Sequence, residues 1–421
     1  MSEKQPDQYH QTTRQPPWAS LRFRPFNYLF VLALFATTAQ QMRQAQIFYQ
    51  VYELSGSAFQ LGMTGVAQGL PIFVFGLFGG ALADFMDRKQ IILITTLGNW
   101  LVAAALGVLT LSGHIQVWHI QIGMALTSTV NIVLTPTRMS IISFLVPRTH
   151  LTNAVSLNSA VSQCSHFIGP MLGGLSLAWM GTGHAYLFNS LFYIPAVIAI
   201  VLLKIPPIKG RQPEKFSLTG MLGGFKFLLS EPVVFAMVIL DFFVTGFGYF
   251  RPLLPVFAKD ILFVGPTGFG MLSSAPAIGG VLGTAILLVI GDVKGKGRLA
   301  VWSFLAYALA VGMFALSTSF WLSVTLLAVT GLANALQAVM RQTTFHIFTP
   351  DQVRGRAFAV FHMFSQGANG FGATEIGFAA ALLGAPGALL FGCAVGSLLT
   401  LGCWVGMPGL KVFGTEKELA R

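Results

Sequence analysis

Long apolar runs separated by short polar breaks set the pattern of this chain. Twelve runs are long enough for an α-helix that crosses a bilayer, which takes about 20 residues. They start near Asn27, Phe59, Ile91, Val117, Leu151, Ala185, Val233, Gly268, Leu299, Phe320, Ala357 and Pro386. They end near Leu54, Ala83, Ser112, Val146, Met180, Leu203, Ala258, Gly291, Ser317, Phe348, Leu383 and Met407. The breaks are short except for the charged, proline-containing stretch from Lys204 to Glu231, where Phe216 to Leu229 has the pattern of a helix lying flat on a membrane. The pattern predicts an all-α integral membrane protein with a polar tail over 1–26 and a six-helix bundle over 27–203. A linker over 204–231, a second six-helix bundle over 232–408 and a tail over 409–421 complete it.

Composition agrees. Hydrophobic residues make up 54% of the chain and charged ones 9%, with a mean hydropathy of +0.71; no water-soluble domain needs that much apolar surface. The net charge of +11 could suggest nucleic acid, but its distribution argues otherwise. With the first tail in the cytoplasm, 20 of the 25 Lys and Arg fall on the cytoplasmic side, in the two tails, the linker and alternate short loops. Lys259 alone faces outward, and four arginines lie inside apolar runs. The bias of Lys and Arg toward cytoplasmic loops therefore predicts a multi-pass protein with both termini in the cytoplasm. Cys164, Cys393 and Cys403 all lie within predicted spans and outline no disulfide framework. The first tail lacks the apolar core of a cleavable signal, so helix 1 is expected to direct its own insertion.

The second half repeats the first. With a shift of 208, Arg43 falls on Arg251, Gly62-Met63 on Gly270-Met271, Asp84 on Asp292 and Arg88 on Lys296. With a shift of 203, Asn131 falls on Asn334, Arg138 on Arg341, Pro147 on Pro350 and Gly169 on Gly372. Matches in two consistent registers indicate a duplicated six-helix unit with one loop deletion between helices 3 and 4.

A burst of charge, Gly80-Ala-Leu-Ala-Asp-Phe-Met-Asp-Arg-Lys89, separates helices 2 and 3. Its spacing resembles the signature loop of the major facilitator superfamily, G-x-x-x-D-(R/K)-x-G-(R/K)-(R/K), with Phe85 in place of the first basic residue and Asp87 in place of the second glycine. The D-x-x-D-R-(R/K) form is similar to the branch containing the enterobactin exporters, the transmembrane secretion effectors. So are the P-x-R helix around Arg138, Leu145-Val-Pro147, the helix opening Asn153-Ala-Val-Ser-Leu-Asn-Ser159, Leu254-Pro-Val-Phe-Ala258 and Pro350-Asp-Gln-Val-Arg-Gly-Arg356. Gly169-Pro-Met-Leu-Gly-Gly174 resembles the superfamily's antiporter motif G-P-x-x-G-G on helix 5, with Ser165 where an upstream glycine is usual.

The resemblance spans about residues 20 to 408 and implies the major facilitator fold of two pseudo-symmetric bundles. It implies that Gly80, Asp84, Asp87, Arg88 and Lys89 form a conformational latch between the halves; the residues alone also fit a solvated turn. It implies a transport role for Gly169, Pro170, Gly173 and Gly174, which would otherwise be a lipid-facing kink. Arg43, Arg138, Arg251 and Arg341 fall on helices 1, 4, 7 and 10, which line the central cavity in this superfamily. Each costs roughly 2.5–3.5 kcal/mol at a helix centre, so lipid exposure is disfavoured, but structural and cavity roles both fit. Were they to face the cavity with Gln40 and Gln44, they would favour anionic substrates. Asp241 and Glu375 are the clearest buried acids, each either a proton carrier or the partner of an arginine; His166, His346 and His362 fit helix packing or a relay. Gly291-Asp-Val-Lys-Gly-Lys-Gly297 lacks a phosphate-cradling G-K-(S/T), and no metal set, cofactor site or nucleophile elbow appears.

The expectation is a transporter, not an enzyme: a proton-coupled exporter of a small organic molecule such as a siderophore or drug, acting as a monomer. An importer, a metabolite facilitator or a lysophospholipid flippase on the same fold is the alternative, and a non-transporting receptor a third.

Overall fold

The computed structural model describes residues 16, 18–85, 87–204, 225–291, 293, 295–350 and 354–406. Most of both predicted tails and of the predicted linker lie outside these residues, although 225–230 are helical. In the first half, α1 is Arg24–Ser55, α2 Ala58–Phe85, α3 Arg88–Leu111 and α4 Val117–Leu145. The helix Leu151–Leu202 follows, with 52 residues, or ~78 Å at 1.5 Å per residue, far more than one crossing of a bilayer core about 30 Å thick. It breaks at Gly181 (φ 74°, ψ 167°), a backbone conformation that only glycine adopts without strain. The limbs 151–180 and 182–202 are α5 and α6.

The second half begins with α7, Pro232–Leu240, continued by a π-helical turn, Asp241–Thr245. Short helical turns from Arg251 to Ile261 lead to α8, Gly265–Ile290; α9 is Lys296–Leu316 and α10 Phe320–Phe348. The helix Arg354–Gly406 breaks at Gly384 (φ 73°, ψ 164°) into α11 and α12. Gly181 and Gly384 are 203 apart, the predicted repeat shift. The protein is an all-helical membrane protein of twelve helices in two repeated sets of six.

Helices are apolar all round where lipid surrounds them, and the outer faces show it: Val289 and Leu382 are each 87% exposed. Eight helices are long and apolar enough to cross a membrane among the described residues, and two of these are the broken pairs. The remaining two are α1, diluted by its glutamines, and α7, whose apolar stretch is short.

The α2–α3 connection marks one end of the molecule, called here the basic end. Away from it the halves share a core, in which Phe48, Val51 and Tyr52 of α1 belong to the same apolar cluster as Leu253, Phe257 and Phe269. Toward the basic end the first half has its own cluster, centred on Phe26, Ile141 and Ala196.

Two seams join the halves, and glycines set both. On α5, a Cβ at Gly174 would lie 2.5 Å from the Pro266 carbonyl oxygen and 2.6 Å from the Gly270 Cα of α8. On α11, Gly377 meets the backbone of Gly62 on α2 in the same way. Gly174 and Gly377 are 203 apart, Gly62 and Gly270 208 apart, so the two seams are repeat images of each other. Small residues that let backbones approach closely are the usual device for helix association in lipid.

Candidate functional site

The predicted site residues separate into four places. The first is the α2–α3 connection. Asp87 is the N-cap of α3 and accepts from the Lys89 backbone N–H at 2.8 Å. Lys89 Nζ donates to the Val201 carbonyl at 2.8 Å, near the end of α6, and the Arg88 guanidinium lies 5.2 Å from the Phe144 ring on α4. These described contacts tie α3 to α4 and α6 within one half. Gly80 and Asp84 lie on the last turns of α2, where no side chain is described.

The helix 5 motif is the second. A Cβ at Gly169 would come within 2.6 Å of Gln41 Cβ, and one at Gly173 within 3.1 Å of the Met42 carbonyl, so both glycines seat α5 against α1. Gly174 faces α8, and the Pro170 carbonyl lies 3.1 Å from where a Cβ on Gly270 would stand. The motif is therefore a three-helix joint at the seam between the halves. Ser165, where a glycine was expected, shares a hydrogen bond with Thr38 at 3.0 Å across the same contact.

The third is a cleft between the halves, lined by Gln41, Gln44, Ala45 and Phe48 of α1, Pro170 of α5, Arg251, and Phe269 and Ser273 of α8. Gln44 and Arg251 thus stand together on the line where the bundles meet. Arg43 does not join them. It is 2% exposed and donates to the Asn99 carbonyl at 2.8 Å and the Asn99 Oδ1 at 2.6 Å, with the Tyr193 ring 5.7 Å away. Its guanidinium braces α1 against α3 inside the first bundle.

The fourth is a crevice within the first half, lined by Ala36, Thr37 and Gln40 of α1, Thr96 and Asn99 of α3, Asn131, Leu134 and Arg138 of α4, and Tyr193 of α6. Arg138 Nη1 donates to Thr37 at 3.0 Å. In the second half its repeat mate Arg341 forms an ion pair with Asp241, the first residue of the π-turn in α7. Arg341 also reaches Ser365 at 3.4 Å and lies 5.4 Å from the Phe361 ring. Asp241 is 5% exposed, so the pair is buried. Glu375 on α11 is half-buried, and its Oε2 finds no hydrogen-bond partner among the described residues.

Asn99 escaped the reading of the sequence, although it is a lone amide inside the apolar run of helix 3. Gln46 and Gln50, part of the polar stretch of α1, are consumed by packing: Gln46 donates to Ser176 and the Ala185 carbonyl, Gln50 to Thr110. Among the described residues no three His, Cys, Asp or Glu side chains gather where a metal could bind. His166 bonds the Ser162 carbonyl of its own helix at 2.8 Å.

Comparison with known proteins adds the family. The model of the transmembrane secretion effector family matches residues 15–411. The enterobactin exporters of Shigella boydii serotype 18 and Escherichia coli O139:H28 are each 28% identical over 316 residues, covering 73% of both chains. Among solved structures, the nucleoside transporter NupG superposes with a TM-score of 0.73 at 13% identity, covering 90% of this chain and 98% of that one. A bacterial homologue of the human lysosomal transporter Spinster, in an inward-facing, unoccupied conformation, gives 0.65 at 15% identity, covering 93% and 96%. These likenesses identify the fold.

Proposed function

The chain belongs to the transmembrane secretion effector family, and from that membership we propose that it is a proton-coupled exporter of a small organic molecule of the siderophore or drug kind. It works by alternating access in a bacterial inner membrane, with the basic end and both termini in the cytoplasm.

The buried pair of Asp241 and Arg341 carries this reading. Ionisable groups inside a membrane protein are costly and mark ion or proton pathways. In a poorly solvated interior, a carboxylate beside a guanidinium stays charged while the pair is intact, and separating the pair favours its protonation. A rearrangement within the second bundle that separates α7 from α10 during the transport cycle would therefore load and release a proton. Glu375, on α11, is the second group able to do this. Export rather than import is supported by the 28% identity to enterobactin exporters and by the G-P-x-x-G-G joint at Gly169 to Gly174. The cleft holding Gln44 and Arg251 is the passage, and Gly80, Asp84, Asp87, Arg88 and Lys89 act as the cytoplasmic latch.

The test compares small molecules secreted by a deletion strain and a complemented one, then follows the missing compound in inverted vesicles under a proton gradient. The wild-type chain should accumulate it uphill, and Asp241→Asn should allow only downhill exchange. Identical secretion by both strains would remove the exporter reading, and uphill accumulation by Asp241→Asn would remove the coupling role.

A further inference from the structure

We propose that the crevice around Arg138 is an anion subsite, receiving an acidic group (carboxylate, phosphate or a similarly charged oxygen cluster) of the molecule carried. The inference rests on the exporter reading and names its substrate class.

Repeat symmetry provides the first argument. Arg341 and Arg138 are equivalent positions, 203 apart. The second half supplies its arginine with a carboxylate, Asp241; the residue equivalent to Asp241, 208 earlier, is Ala33. The first half thus keeps the cation and omits its counter-charge. A guanidinium held in a membrane interior without a counter-ion is unfavourable, and an acidic ligand would fill the role that Asp241 fills in the other half.

The lining provides the second. Gln40, Asn99, Asn131 and Thr96 are neutral, and no acid is among the residues around the crevice. The acidic side chains described in the first half are Glu53, bonded by Thr182 at 2.8 Å, and Asp87, at the start of α3; both lie at helix ends. Arg43 stands behind the crevice, joined to it through Asn99, whose Nδ2 donates to Asn131 Oδ1 at 3.3 Å. Two guanidiniums therefore share one region.

The third argument is an unfilled donor. Arg138 Nε is buried and finds no hydrogen-bond partner among the described residues, while Nη1 is spent on Thr37. A planar guanidinium offers donors in a fork that matches two oxygens of one carboxylate or phosphate. Buried donors are normally satisfied, so an acceptor belongs here. The crevice is narrow, so it would admit the tip of an acidic group rather than a whole large molecule.

The test uses the purified full-length chain in nanodiscs, with benzoate as the anionic probe and benzamide as its uncharged counterpart. Benzoate should raise the unfolding temperature saturably and benzamide should not. Arg138→Gln should weaken the benzoate response about tenfold or more, the loss expected for a charge-assisted hydrogen bond; Arg138→Lys should retain part of it. Leu134→Phe fills the crevice without touching the charge and should also abolish the response, which decides the matter if Arg138→Gln does not yield folded protein. No response of the wild type to benzoate, an equal response to benzamide, or an unchanged response in Leu134→Phe would each overturn the subsite. Arg138-dependent benzoate binding would stand even if the deletion strain secretes normally. A secreted compound without an acidic group, together with indifference to benzoate, would remove the subsite and leave the exporter.

Discussion

Helices α1 and α7 descend from the same repeat position and differ in the feature that matters most for transport. α1 runs unbroken for 32 residues. α7 passes into a π-turn at Asp241, leaves helical geometry at Tyr249 and Phe250, and resumes in short turns from Arg251 to Ile261. The cause is local. The stretch that follows α7 carries Gly246, Gly248, Pro252 and Pro255, where the repeat places Thr38, Gln40, Gln44 and Ile47 in α1. Proline removes a helix donor and glycine weakens a helix interior, and π-turns are frequent at functional sites. Arg43, inside a regular helix, meets Asn99, whereas Arg251, at the break, lines the cleft between the halves. Duplication supplied one scaffold twice; breaking one copy redirected its charge.

The comparison breaks most severely at the ion pair. Asp241→Asn leaves Arg341 buried without its anion, a change that costs about 3–5 kcal/mol when one partner of such a pair is removed. Thermal unfolding should drop sharply, and the double variant with Arg341→Gln should recover most of the stability but none of the uphill transport. Recovery of transport in the double variant would count against the coupling role.

Next come the two repeat-related arginines. Arg43→Gln should destabilise by about 2–3 kcal/mol, because the buried acceptors of Asn99 lose a charged donor. Arg251→Gln should leave unfolding unchanged while weakening transport. Equal stability losses would mean that Arg251 is as structural as Arg43.

The seams give a smaller effect and test symmetry directly. Gly174→Ala and Gly377→Ala each place a methyl group against opposing backbone, a strain of about 1–3 kcal/mol, and should slow transport to a similar degree. A large loss at one site alone would show that the two seams open differently.

Smallest in stability is the cap of α3. Asp87→Ala should cost about 1 kcal/mol, read by thermal unfolding. Asp84→Asn and Arg88→Ala, by contrast, should cut export while membrane insertion stays near normal. Wild-type export by both would reduce the α2–α3 connection to a solvated turn.

Much of the architecture was legible in the chain, because lipid imposes a length and a hydropathy on each span. The duplication was legible too, since Gly169 and Gly372, or Arg138 and Arg341, keep their spacing. Two helix boundaries fell elsewhere: helix 12 is expected from the apolar run to begin near Pro386, whereas the chain turns at Gly384, where the backbone can take a positive φ. Helix 6 was likewise expected from Ala185, but the break is at Gly181. The fate of each buried charge was not legible. Nothing local to Arg43 points to Asn99, which is 56 residues away, and Asp241 and Arg341 are paired only because α7 and α10 meet. Residue type announced that these groups need company; topology decided whether that company is a side chain, a carbonyl or a cleft.

Tyr52 and Asp260 hydrogen-bond at the end opposite the basic loops, with the Lys259 ammonium 5.9 Å from the Tyr52 ring. Their separation of 208 residues is the repeat shift itself. Positions related by a two-fold axis can touch only on that axis, so this bond marks where the axis leaves the protein. In an ancestor built from two identical six-helix chains, the same position would have faced its own copy, tyrosine against tyrosine or aspartate against aspartate. Two aspartates there would repel, and two tyrosines would offer no charge for a lysine to balance. A donor facing an anionic acceptor requires that the two copies carry different residues at this position. The Tyr52–Asp260 bond thus records the divergence of the two copies, since identical halves could not have made it.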